Sequence, residues 1–135
     1  MTFTPAAKKT ISDFLSDTGT KPEDYDAIFT GDLGAVGSEL LCELMMKEEG
    51  MDIGRVHKDC GLMIFDRNKQ DVHAGGSGCG CGGSVLCSHI LSGLHSGKYN
   101  NILFVATGAL MSTVSSLQGQ SIPGIAHLVN IKREV

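Results

Sequence analysis

One stretch constrains this chain more than any other: Val72-His-Ala-Gly-Gly-Ser-Gly-Cys-Gly-Cys-Gly-Gly-Ser-Val-Leu86. Ala74, Gly75, Gly76, Gly78, Gly80, Gly82 and Gly83 carry nothing larger than a methyl group. Backbone of that kind reaches positive φ without strain and lets a ligand or another backbone come close. The reactive groups within it are His73, Ser77, Cys79, Cys81 and Ser84. Beyond it Val85, Leu86, Ile90, Leu91 and Leu94 recur at spacings of four and five, which predicts a helix with one buried face. A glycine loop that opens a helix presents amide N–H groups to anions. The chemistry of the chain is expected there.

The rest of the sequence narrows the class. With 135 residues there is enough chain for one small domain with one core, taken here as residues 1–135. Charged residues make up 19%, below the average of about 25%, which favours a buried or oligomeric surface over disorder. The net charge is −4, and no basic tract or aromatic stripe offers a nucleic-acid surface. No apolar run approaches the roughly 20 residues of a membrane span, and Met1 to Lys9 lacks the order of a signal peptide. Five cysteines without framework spacing point to a reducing compartment and cytoplasmic synthesis.

Read in order, Thr4 and Pro5 resemble an N-cap and a first helical position. Ala7, Ile11, Phe14 and Leu15 continue that helix, and Gly19 ends it. Ala27 to Thr30 is a short apolar run, a buried strand. A second helix is expected from Val36 to Glu49, with Leu40, Leu41, Leu44 and Met45 on one face and Gly50 as its stop. Between Ile53 and Phe65 the pattern is ambiguous, with Leu62 to Phe65 readable as strand or short buried helix. The glycine loop and its helix run to about Ser96. Asn101 to Thr107 is a strong buried strand, Gly108 to Ser121 a loop, and Pro123 to Val135 a last strand. This alternation predicts an α/β fold with a mixed β-sheet flanked by helices.

Several chemistries compete for the glycine stretch. Gly78 to Gly83 fits G-x-G-x-x-G, but a dinucleotide site also needs a strand directly before it and an acidic residue about 20 positions on. Residues 102–106 are apolar, so that reading is set aside. Cys60, His73, Cys79 and Cys81 could hold zinc, yet C-x-C with scattered companions is not a structural zinc spacing. Packed, unreactive thiols fit better. Cys79 or Cys81 at a helix start could be a nucleophile, with His73, His89 or His127 as base. His57 and His95 read as solvated. Asp32 follows a strand at its carboxyl end, where open α/β sheets place ligands; a helix-capping role fits it equally.

Six segments, in order, carry a resemblance. They are Lys21 to Gly34, Lys47 to Gly54, Asp59 to Ile64, Ala74 to Cys81, Val105 to Leu110 and Ser121 to His127. Together they resemble the SpoVAD family of sporulation proteins, over essentially the whole chain but only the C-terminal part of the family's length. The resemblance implies the C-terminal half of a thiolase-like fold without thiolase chemistry. In ketoacyl synthases, which are similar in architecture, a His follows the strand matching Ala27 to Thr30; here Gly31-Asp32 stands there. Their catalytic Asn falls where this chain has Gly75 to Gly78, and their nucleophilic Cys lies in the other half. Gly82-Gly83 also departs from the family's larger residues, loosening the helix start by roughly 0.5–1 kcal/mol per glycine relative to alanine.

What the resemblance implies for function is binding rather than catalysis. The family serves the SpoVA system, which moves dipicolinic acid, with calcium, into the spore and out at germination. The expected ligand is dipicolinic acid, lined by Asp32, Ser77, Cys79, Cys81 and His127, with Gly75, Gly76, Gly78 and Gly80 supplying backbone. No cofactor is expected beyond calcium carried with the ligand, for which Asp32 offers oxygen. Implied partners are other SpoVA proteins, peripherally at the spore inner membrane. The N-terminal half of the fold, or a second copy forming a homodimer, is expected to cover the glycine-loop helix. An acyl-transferring enzyme with a cysteine nucleophile is the alternative.

Overall fold

Continuous burial of the central strands, on both faces of the sheet, determines the architecture. In the computed structural model, which describes residues 3–73, 80–109, 114, 117–119 and 124–134, four strands form one sheet. They are β1 (Ala27–Thr30), β2 (His57–Asp59), β3 (Asn101–Ala109) and β4 (Gly124–Lys132), in the order β2-β1-β3-β4. β1 is parallel to both β2 and β3, and β4 runs antiparallel to β3. The expected mixed α/β sheet is therefore present.

Successive residues of β1 and β3 point to opposite faces, and each face has its own core. Ile28, Leu103 and Val105 pack with Ala7, Ile11 and Leu15 of α1 (Thr4–Thr18) and Leu41 and Met45 of α2 (Gly34–Glu49). Ala27, Phe29, Ile102 and Phe104 pack with Cys60 of α3 (Cys60–Met63) and with Cys81, Val85, Ile90 and Leu94 of the glycine-loop helix. A sheet with both faces covered reads as continuous apolar strands, as Ile102 to Val105 does.

The first helix starts at Thr4 rather than after it, with Phe3 at the flanking position. Thr4 is buried, and its hydroxyl donates to the Gly37 carbonyl at 3.2 Å, joining α1 to α2 instead of capping. α2 starts at Gly34, two residues before the position expected from apolar spacing. Gly34 has a φ of 72°, a conformation suited to glycine, and it turns the chain into the helix. The ambiguous stretch resolves into β2 and the short α3, and Ile64 beyond it is largely exposed.

The glycine-loop helix has a defect that its sequence already carried. α4 (Cys81–Val85) passes through a π turn (Leu86–Ile90) into α5 (Leu91–Ser96). A π turn accommodates one extra residue, so Val85 and Ile90, five apart, both face the sheet, and Leu94 follows four later. Leu91, which a regular helix would bury equally well, is exposed.

Tyr99 seals this side. Its ring meets Phe29 edge-on at 5.5 Å and lies against the bare Cα of Gly93, where a Cβ would sit 2.5 Å from a ring carbon. Gly93→Ala is expected to force the ring aside and lower the unfolding free energy by about 1–3 kcal/mol. Urea denaturation followed by circular dichroism measures this; an unchanged midpoint would contradict the packing described.

Candidate functional site

The parallel strands β1, β2 and β3 end on one edge of the sheet, the edge at which such sheets bind ligands. Past Thr30, the Gly31 N–H donates to the Val105 carbonyl at 3.0 Å and the Asp32 N–H to the Thr107 hydroxyl at 3.1 Å. A Cβ on Gly31 would stand 3.0 Å from that hydroxyl, so a side chain there would crowd Thr107. A Cβ on Gly82 would stand 3.4 Å from the Gly31 Cα and 3.3 Å from the Phe104 ring. Two glycines in contact thus seat the first turn of α4 against the end of β1.

Asp32 and Cys81 therefore come to one edge. Asp32 is half-buried; Cys81 is buried beside Cys60 and belongs to the core. Burial, then the neighbouring Cys81, Asp59 and Asp32, push the Cys60 thiol up to about 12. That thiol stays protonated at any physiological pH. Gly80 precedes α4, and its carbonyl accepts the Ser84 N–H and hydroxyl at 3.0 and 2.9 Å. Ser77, Cys79, Gly75, Gly76 and Gly78 lie outside the described residues. His127 is exposed on the edge strand β4, opposite Ala106, on the face toward α4. Of the other candidate bases, His73 is exposed near Asp71, and His89 contacts the Tyr99 hydroxyl at 3.1 Å. Residues 64–73 form no strand before the glycine stretch, which removes the setting a dinucleotide fingerprint requires.

The polar centre of this edge is a residue that sequence reasoning passed over. Asp59 is 3% exposed. Its Oδ1 accepts the Thr30 hydroxyl at 2.6 Å and the Leu33 N–H at 2.8 Å, and its Oδ2 accepts the Gly34 N–H at 3.0 Å. Asp59, not Asp32, takes these amides at the start of α2. Asp59 stands at the cap position of α3 in sequence yet makes no cap bond there. Its partners are 25 to 29 residues away, so local sequence carries no sign of them.

His57 is not solvated as its sequence context suggested. Its Nε2 lies 2.9 Å from the Thr30 hydroxyl, and Cys42 Sγ lies 3.9 Å from its Nδ1. Because Thr30 donates to Asp59, the Thr30 oxygen accepts from His57, which places the ring proton on Nε2. Nδ1 then turns its lone pair to the thiol. Burial, partly opposed by the Asp59 charge, holds the His57 pKa below its ordinary value. Burial and then Asp52 raise that of Cys42.

Two outcomes follow. Asp59→Ala orphans two amides and a hydroxyl and is expected to cost about 2–4 kcal/mol in denaturant unfolding, with Asp59→Asn milder. Protonating His57 favours the unfolded chain, where the ring titrates normally. Stability is therefore full above pH ~6.5 and declines as pH falls below it. His57→Gln should flatten that decline in thermal melts between pH 7 and 5; an identical decline in the variant would exclude His57 as its source.

Comparison with known proteins adds the family. The family model described as stage V sporulation protein AD matches residues 1–132. A stage V sporulation protein AD from Bacillus subtilis (strain 168) is 46% identical over 129 residues, covering 96% of this chain. The chain spans 38% of the length of that relative.

Proposed function

This chain belongs to the stage V sporulation protein AD family, a sporulation family, and from that premise we propose that it binds dipicolinate without catalysing a reaction. The observation that carries the reading is the meeting of Asp32 with the first turn of α4 at the carboxyl edge of β1, held by the Gly31–Gly82 contact. Dipicolinate is a small planar dianion. Amides at a helix start favour its carboxylates, and Asp32 supplies oxygen to a calcium ion carried with it. Ser77, Cys79 and the Gly75 to Gly78 backbone enter the site on the strength of the sequence resemblance, and His127 as a rim residue.

The state of the thiols supports binding over acyl transfer. Cys60 is held near 12 and Cys81 is 3% exposed, whereas a nucleophile needs an accessible thiolate. On this reading the edge is completed by the remaining part of the family fold or by a second copy. The helical run from α4 to α5 leaves Ser84, Cys87, Ser88 and Leu91 exposed along its outer side, and that side is where the covering half sits. The thiolase-like relationship of the two halves is part of the same proposal. The chain then works with other SpoVA proteins, peripherally at the spore inner membrane. Among the described residues no helix is long and apolar enough to cross a membrane.

Calorimetry tests the binding. The protein assembled with the rest of the family fold should bind calcium dipicolinate, and Asp32→Ala should weaken binding about tenfold, equivalent to about 1.4 kcal/mol. No heat with the assembled wild type would end the reading. Peptide-mapped iodoacetamide labelling tests the absence of catalysis. Cys87, exposed, should react first, with Cys60 and Cys81 far slower. Rapid labelling of Cys81 that an acyl thioester suppresses would install the acyltransferase instead.

A further inference from the structure

A second place carries chemistry that the proposed function does not use. It lies on the α2 side of the sheet, in a pocket of about 580 Å³ between α2, β2 and α3. Ser38, Cys42, His57, Leu62 and Met63 line it together with the charged residues Glu39, Glu43, Lys58 and Asp59. Cys42 is half-buried at one wall, and the His57 Nδ1 lone pair faces it across 3.9 Å.

Three features describe a site built for something thiophilic. The first is the imidazole, already oriented as a ligand. Its Nε2–H is held by Thr30, which is held by Asp59. Metal-binding histidines are fixed in this way through their second nitrogen, usually by a carboxylate or carbonyl; here a hydroxyl relays the carboxylate. The second is Ser38, 8% exposed, whose buried hydroxyl has no hydrogen-bond partner among the described residues. It lies one turn before Cys42 on the same helix face, so a Cys42 thiolate would offer the acceptor it lacks. The third is Met63, a thioether-bearing residue that lines the same pocket.

The spacing bears on which ion would fit. Bond lengths of about 2.3 Å to sulfur and 2.0–2.1 Å to nitrogen put the two donors about 3.5–3.6 Å apart at a tetrahedral centre and about 4.3–4.4 Å apart at a linear one. The 3.9 Å observed lies between, at an angle wider than tetrahedral. Among the described residues no group of three or more His, Cys, Asp or Glu is placed to hold a metal. A four-coordinate zinc site or an oxygen-rich calcium site is thus short of ligands, while thiolate, imidazole and thioether are the donors soft monovalent ions take. We propose that Cys42, His57 and Met63 form a low-coordinate site for Cu⁺. Binding replaces the Cys42 S–H proton, which leaves to solvent, and needs no change in oxidation state.

The test is anaerobic titration of the reduced protein with Cu⁺ in competition with a chromophoric chelator, bicinchoninate. Wild type should take one equivalent, with X-ray absorption showing a mixed sulfur and nitrogen shell. Cys42→Ser and His57→Gln should each lose affinity by about tenfold or more. Met63→Leu, at a partly exposed position that tolerates the change, should lose less and drop one sulfur from the shell. Cys87→Ser should match wild type. An unaltered affinity in both Cys42→Ser and His57→Gln, or an all-sulfur shell in wild type, would overturn the proposal. Zn²⁺ binding at this pair more tightly than Cu⁺ would overturn it too. The wild-type absorption spectrum decides the matter even where a variant fails to fold. Since Asp32 is not a ligand, loss of dipicolinate binding in Asp32→Ala leaves this titration unchanged.

Discussion

A single buried carboxylate ties together three pieces of chain at the end of the β1–β2 ladder. Asp59 ends β2, Thr30 ends β1, and Leu33 and Gly34 open α2; the Asp59 oxygens accept from all three. Burying a carboxylate is costly unless its lone pairs are met by good donors. Here two amides at a helix start and a short hydroxyl bond meet them, and charge-assisted bonds of this kind are about twice as strong as neutral ones. The result fixes where the chain leaves the sheet after β1. That exit carries Gly31 and Asp32, so the position of the proposed ligand edge depends on a residue about 27 positions away in sequence.

The same carboxylate separates two environments. Toward the glycine loop, Cys60 and Cys81 sit in an apolar core against Phe29 and Phe104, where burial holds the Cys60 thiol protonated. Toward α2, the hydroxyl of Thr30 passes the Asp59 charge on to His57 and orients its free nitrogen at Cys42. Five cysteines in one small chain invite a single explanation from sequence. The structure divides the four described ones by surroundings: two packed as small apolar side chains, one paired with a base, and one, Cys87, exposed on the outer side of the helix.

What was legible in the sequence follows the range of the interactions. Ala27 to Thr30 and Ile102 to Val105 announce themselves as strands because both faces of the sheet are covered, so every residue but Thr30 is apolar. The five-residue spacing of Val85 and Ile90 recorded a π turn that a strictly regular helix would not explain. Gly19 and Gly50 end α1 and α2 with left-handed φ, as glycines at helix ends do. Asp32 was placed correctly at a strand end because that position follows from topology alone. The helix cap, by contrast, was weighed for Asp32 and belongs to Asp59, since a side chain can reach across strands to an amide and sequence spacing cannot record it. His57 read as solvated for a similar reason. Between the exposed Arg55 and Lys58 it looks like surface, yet the parallel register of β1 and β2 sets it opposite Ile28, facing α2.

Charge at the ligand edge limits what the proposed site can hold. The Asp32 field is strong enough at Cys60 to be one of the causes raising that thiol. A dianion brought to the same edge meets that negative field, set against the partial positive charge of the first amides of α4, worth roughly half an elementary charge. Half a charge does not offset a carboxylate's full one, so amides alone give a dicarboxylate little net attraction. A divalent cation reverses the balance. It turns Asp32 from a repelling neighbour into a ligand, and it takes its remaining oxygens from the dianion. The helix start then faces a neutralised complex whose outer carboxylate oxygens still accept N–H bonds. On the proposed reading, calcium dipicolinate would bind better than free dipicolinate, and Asp32 would be the residue on which that preference rests.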